Sequence, residues 1–164
     1  MINLQIETNR RLVEVVPGFL LFAAEEAGQL DLNRDGDGFD AVIHTLDLKR
    51  WKLTNLGLAT NTFGALAVSA SHVWFEVDES SQGREDLNGD GHVGGRLLYY
   101  ADRRLLSPRM ASSFKIQDFH LGGRLLSVDV RESVNEHLDF NGDGDSRDSV
   151  LFGVVLVEER FGQR

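Results

Sequence analysis

The feature that most constrains this chain is a repeat. An acidic, glycine-punctuated stretch occurs three times, as "DLNRDGDGFD" over 31–40, "DLNGDGHVGG" over 86–95 and "DFNGDGDSRD" over 139–148. The copies begin 55 and 53 residues apart, and their surroundings repeat with them. Two short apolar runs precede each copy: "RLVEVV" and "FLLFAAEE", "FGALAVSA" and "HVWFEVDES", "FKIQDFHL" and "RLLSVDVRES". Another follows each: "DAVIHTLDL", "GRLLYYADRR" and "DSVLFGVVLVEE". The first two repeats add a fourth, "WKLTNLGLA" and the weaker "LLSPRMA".

These runs are too short for helices, and turn residues separate nearly all of them. Val73, Phe75 and Val77 alternate with Trp74, Glu76 and Asp78, which is the period of a strand. Four short antiparallel strands per unit of just over fifty residues is the pattern of a β-propeller blade, with a two-strand-per-repeat sandwich as the alternative. The expected fold is therefore all-β, a single domain over 1–164 made of three four-stranded propeller-like blades at 10–60, 61–112 and 113–164. The stretch "RRLVEVVPGFLLFAA" (10–24) has the outline of a signal peptide, but Glu14 and Pro17 interrupt it and it aligns with later repeats, so it reads as folded structure.

Composition narrows the partners. The chain has 164 residues, 41% of them hydrophobic, enough for one packed domain, and its formal net charge of -9 argues against nucleic acid and anionic membrane surfaces. No run reaches the length of a membrane-spanning helix, so no membrane insertion is expected. With no cysteine, neither disulfides nor thiolate metal sites are possible, and any bound ion is held by oxygen.

Every copy of the loop carries Asp at position one, Asn at three, Asp at five and Gly at six. That is the front half of an EF-hand-type calcium loop. A hard cation such as Ca²⁺ takes about six to eight oxygens at about 2.3–2.6 Å, and a tight loop turns alternate side chains inward to supply them. Gly36, Gly91 and Gly144 allow the sharp turn. Position seven varies as Asp37, His92 and Asp145, which fits a residue donating its backbone carbonyl. Position ten is Asp40 and Asp148 in the outer copies but Gly95 in the middle one, which marks the middle site as the weakest. Glu25, Glu79 and Glu132, a few residues before each loop, are further candidate ligands. Asn-Gly and Asp-Gly also favour tight hairpins without metal, but a turn needs one or two special residues and each copy here has three oxygen-bearing side chains in register. Magnesium fits less well, since it keeps its waters.

The strand, Asp-x-Asn-x-Asp-Gly loop, strand arrangement resembles the calcium-binding hairpins of integrin alpha propellers and related repeats of bacterial surface proteins. That resemblance implies Ca²⁺ as cofactor and three sites. The first has Asp31, Asn33, Asp35, Asp37 and Asp40. The second has Asp86, Asn88, Asp90 and His92. The third has Asp139, Asn141, Asp143, Asp145 and Asp148. The final carboxylate stands at position ten where the related loops have it at nine. Dockerins and EF-hands share the loop but follow it with helices.

The five histidines show no paired metal-ligand spacing and read as ordinary surface or strand residues, and Trp51 and Trp74 read as blade-packing aromatics. No catalytic residue can be assembled by motif. The function expected is a calcium-binding, non-enzymatic binding or scaffolding module with a protein or glycan ligand, in an extracytoplasmic or cell-surface setting where about millimolar calcium fills weak loops. The alternative is a propeller-based hydrolase or lyase acting on glycans. Residues 1–9, with Ile2, Leu4 and Ile6 alternating, align with "WKLTNLGL" and are expected to complete the last blade of a second copy, closing a six-bladed homodimer with twofold symmetry.

Overall fold

A computed structural model describes residues 8–26, 30–61 and 64–156. Within them the chain is all-β, with eleven strands in three antiparallel sheets taken up one after another along the sequence. The first sheet holds β1 (Thr8–Val16), β2 (Phe19–Glu25), β3 (Ala41–Asp47) and β4 (Lys52–Thr60) in that order. The second holds β5 (Leu66–Val68), β6 (His72–Asp78), β7 (Arg96–Asp102) and β8 (Pro108–Ile116). The third holds β9 (Asp118–Gly122), β10 (Leu125–Arg131) and β11 (Ser149–Val155). Each acidic loop connects the second strand of its sheet to the third. The run over 10–24 is the β1–β2 hairpin, turning at Pro17 and Gly18, where Gly18 takes a φ of 76°.

One boundary differs from the sequence reading. "FKIQDFHL" is not one strand: Phe114–Ile116 ends β8, which pairs with β7 through Leu97↔Lys115 and Arg96↔Ile116, and Asp118 opens β9. Gln117 marks the step, and its amide donates to the Asp129 carbonyl of the new sheet. An uninterrupted apolar run hides such a break, because both halves carry the same residue types. At the other end, β1 already begins at Thr8, so the part of the 1–9 segment before it lies outside the described residues.

Alternation decides how the sheets stack. Val73, Phe75 and Val77 of β6 face the first sheet, packing with Phe19, Leu21, Ala23, Ala41 and Ile43. The opposite face presents Trp74 and Leu98 to Phe119, Leu126, Val128 and Val130 of the third. The second sheet is thus covered on both sides, which explains why β6 is buried from Val73 to Asp78 although its sequence alternates. Trp74 belongs to this packing, stacked on Tyr100 with ring centroids 5.2 Å apart. Trp51 does not: it sits exposed in the β3–β4 turn with a φ of 52°.

Candidate metal centres

Each loop is built around a buried glutamate. Glu79 and Glu132 are fully buried and open one-turn 3-10 helices, Glu79–Ser81 and Glu132–Val134, while Glu26 follows β2 directly. All three carboxylates span their loops, accepting from backbone amides near both ends. Glu26 takes the amides of Leu32 and Asn33 on Oε1 and that of Asp40 on Oε2. Glu79 takes Leu87 at 3.0 Å and Gly94 at 3.1 Å. Glu132 takes Phe140 at 2.7 Å and Asp148 at 3.2 Å. A buried carboxylate is costly unless several donors face it, and the loop's own amides are those donors. In the first repeat this corrects Glu25 to Glu26: Glu25 ends β2 exposed, and its neighbour points inward. The signal was present as "EAGQ", "ESSQ" and "ESVN", a glutamate followed three residues later by a side-chain amide.

Inside the loops, position one organises the turn. Asp31 accepts from the amides of Asp35 and Gly36, both at 3.1 Å; Asp86 from Gly89, Asp90 and Gly91; Asp139 from Gly142 and Gly144. The sixth-position glycines have φ of 101°, 80° and 95° at Gly36, Gly91 and Gly144, a region where a side chain is strained. Position three braces position five: Asn33, Asn88 and Asn141 each donate from Nδ2 to Oδ2 of Asp35, Asp90 and Asp143, at 2.9, 3.1 and 2.9 Å. The fifth carboxylates in turn accept the amides of Asp37, His92 and Asp145. These carboxylates have about four acceptor directions each, so the amide bonds leave capacity for a cation. In the first loop Oδ1 of Asn33 is buried and has no hydrogen-bond partner.

The structure brings together a subset of the expected ligands. Carboxylate oxygens of Glu26, Asp37 and Asp40 all lie within 4.8 Å of one another, and those of Glu132, Asp145 and Asp148 do the same. The two trios are equivalent, one buried glutamate with positions seven and ten of its loop. Asp31 and Asp35, like Asp139 and Asp143, are outside the trios, with their oxygens turned to loop amides. Position seven therefore contributes a side chain to each trio, a role the variation among copies concealed. It also means the middle loop lacks two acids, having His92 and Gly95 where the others have aspartates. No third trio occurs among the described residues.

Crowding is visible in the electrostatics. Burial pushes the Asp40 carboxyl up to about 6, against a hydrogen bond with the Ser81 side chain, and the charges of Asp37, Asp35 and Glu26 push the same way. Asp148 is raised by the hydrogen bond it shares with Asp143, with further repulsion from Asp143 and Asp145, while Asp143 is lowered by the Asp145 amide. A cation placed among these groups would relieve the repulsion. Loop one also reaches the second sheet: the Gly83 amide donates to Asp35 at 2.7 Å, and Asn33 donates to the Ser81 carbonyl at 3.1 Å. Among the described residues no helix is long and apolar enough to cross a membrane. The chain matches no protein-family model and no curated protein.

Proposed function

We propose that this protein is a calcium-binding, non-enzymatic β module, in which ions held by the acidic loops lock the second-to-third strand connections and fix a binding or scaffolding surface. The observation that carries this reading is the recurrence of the same trio, a buried glutamate with the seventh- and tenth-position aspartates, at 26/37/40 and 132/145/148. Three further features support it. The donor set is oxygen only, as a hard cation prefers. The Asn33 Oδ1 is buried without a partner. The carboxyl of Asp40 is raised, first by burial and then by the neighbouring charges of Asp37, Asp35 and Glu26, which a bound cation would offset.

Glu26 or Glu132 with the two aspartates would hold the ion, and the position-one and position-five carboxylates would keep the loop closed around it. The ion supplies charge neutralisation and rigidity, and no reaction is assigned to it. Calorimetric titration of chelator-stripped protein with Ca²⁺ and, separately, with Mg²⁺ tests the proposal. Saturable calcium binding, with a melting temperature that rises on addition and falls again with chelator, is the expected result. No heat and no thermal shift up to about ten millimolar calcium overturns it.

The proposal extends to architecture. The three sheets serve as propeller blades, and two chains close a six-bladed ring by adding a strand from each copy to the free edge of the other's third sheet. Support comes from that edge: β11 pairs with β10 on one side only among the described residues, and Leu151 and Val155 on it are about 70% exposed.

A further inference from the structure

Resting on the calcium reading above, we propose that the middle loop carries its own cation: the Lys115 ammonium takes the place of a metal ion, so that each chain binds calcium in its first and third loops only.

Asp90, the fifth residue of the middle loop, lies 2.7 Å through Oδ2 from Nζ of Lys115, and the two side chains are only 16% and 8% exposed. A buried lysine is unusual unless its charge is met, and this one is aimed into the loop that lacks the most acids. In the third loop the fifth and tenth carboxylates are drawn together by Asn141, whose Nδ2 donates to Oδ2 of Asp143 at 2.9 Å and to Oδ2 of Asp148 at 3.2 Å. In the first loop the Asp35 charge likewise acts on Asp40. In the middle loop the ammonium meets the fifth carboxylate beside Gly95, where the tenth-position side chain is missing.

The strand register shows that the exchange is a paired one. Val42↔Ala59 in the first sheet corresponds to Leu97↔Lys115 in the second, each two residues past the end of its loop. The amides of Ala59 and Lys115 are also capped alike, by the side chains of Gln82 and Asn135. Ala59 and Lys115 are therefore equivalent positions, as are Asp40 and Gly95. The first repeat has aspartate with alanine; the second has glycine with lysine. Those two choices exclude a mixture. A Cβ on Gly95 would fall 2.6 Å from Cδ and 2.7 Å from Cγ of Lys115, so an acid at 95 and the lysine where it now lies cannot coexist without displacement. Where the repeat gives up its acid, it gains a fixed positive charge in the space vacated.

A divalent ion entering this loop would have to expel Lys115, whose stem packs on Gly95 and whose backbone is bonded at both polar groups to Asn135. The middle loop is thus neutralised whether or not calcium is present, and the outer two are neutralised when the ion binds. One chain combines a permanently neutralised loop in its second sheet with two ion-dependent ones.

Equilibrium dialysis of the full chain against Ca²⁺ tests this directly. Two ions per chain are expected, with Asp40→Asn and Asp148→Asn each removing one and Asp86→Asn removing none. A count that Asp86→Asn lowers by one overturns the inference while leaving the calcium reading intact; a wild-type chain that binds no calcium overturns both. Lys115→Met supplies a second measurement. In chelator its melting temperature should fall below that of the wild type, and the rise produced by calcium should be unchanged in size. Either an unaltered melting temperature in chelator or a changed calcium response counts against the ammonium as the resident cation.

Discussion

Asn135 grips the backbone of Lys115 at both polar groups, accepting from its amide at 2.7 Å and donating to its carbonyl at 2.9 Å. The asparagine follows the 3-10 turn of the third sheet, and the lysine lies in the outer strand of the second, so the pair fastens one sheet to the next. Gln82 does the same a repeat earlier, accepting from the Ala59 amide at 2.8 Å and donating to the Gly57 carbonyl at 3.5 Å. Backbone groups at a sheet edge need partners when buried, and a side-chain amide offers both a donor and an acceptor.

Removing that clamp strands buried groups on both sides. Asn135→Ala should destabilise the protein by about 1–3 kcal/mol, read as a lower urea midpoint with unchanged slope. Gln82→Ala should cost less, because one of its two bonds is long. Equal and negligible losses in the two variants would show that the amides do not fasten the sheets.

Substituting a trio carboxylate should have opposite effects with and without the ion. Asp40→Asn and Asp148→Asn relieve repulsion among Glu26, Asp37 and Asp40 or Glu132, Asp145 and Asp148, so in chelator each variant should melt at or above the wild type. In millimolar calcium each should melt below it, since a ligand has been lost. Thermal scans in both buffers check the crossing, and curves that keep one order in both buffers would disprove it.

Glu76 gives the fold a pH dependence separate from the loops. It is fully buried, with Oε2 3.1 Å from Nη1 of Arg96 and Oε1 without a partner. Burial pushes its carboxyl up to about 7 from an ordinary value of 4.5; the Arg96 charge opposes this and the Asp118 charge adds to it. The folded state therefore holds the proton more tightly than the unfolded chain. The resulting stabilisation is fully present below pH about 4.5 and is lost as pH rises through about 7. Between pH 5 and 8, at saturating calcium, the wild type should lose stability relative to Glu76→Gln by at most about 3 kcal/mol. Urea titrations of both proteins at the two pH values decide it, and parallel losses would rule out Glu76 as the titrating group.

What the sequence disclosed, and what it hid, follows from which interactions are periodic. The three loops, their glycine turns and the strands beside them repeat at nearly constant spacing, and repetition exposes anything that recurs. The trios were half legible: Asp37, Asp40, Asp145 and Asp148 all stand among the expected ligands, but with His92 at the same place in the middle copy position seven reads as a backbone-carbonyl donor, whereas its side chain joins each trio. Glu26 cannot be told from Glu25 by spacing alone, because the two stand side by side and only the facing of β2 decides which of them turns inward. Lys115 was invisible, since it lies twenty residues past Gly95 and only the β7–β8 register brings it onto the loop. The burial of Glu76 was equally hidden, because alternation along one strand does not reveal that both faces of its sheet are covered.

Among the described residues the third sheet is left with an unpaired edge at β11. The first two sheets have four strands each, and their outermost, β4 and β8, close over the loops and carry the backbone clamped by Gln82 and Asn135. The third has β9, β10 and β11, and among the described residues nothing pairs with the outer side of β11. A strand edge is a row of unpaired donors and acceptors, and this one also exposes Leu151, Phe152, Val154 and Val155. Phe152 and Val154 line a cavity of about 450 Å³ with Tyr100, Met110 and Phe114 of the second sheet, so a fourth strand would cover apolar surface as well as pair the backbone. The segment proposed to do so, the alternating run with Ile2, Leu4 and Ile6, lies outside the described residues and ends where β1 begins at Thr8. Deleting residues 1–7 leaves all of β1 as described, Thr8–Val16, in the chain. Sedimentation of the intact chain at micromolar concentration should give a dimer and the truncated chain a monomer, while calcium binding by the first loop persists in both. An intact chain that sediments as a monomer, or a truncated chain that still dimerises, would mean that this strand does not complete the partner's sheet.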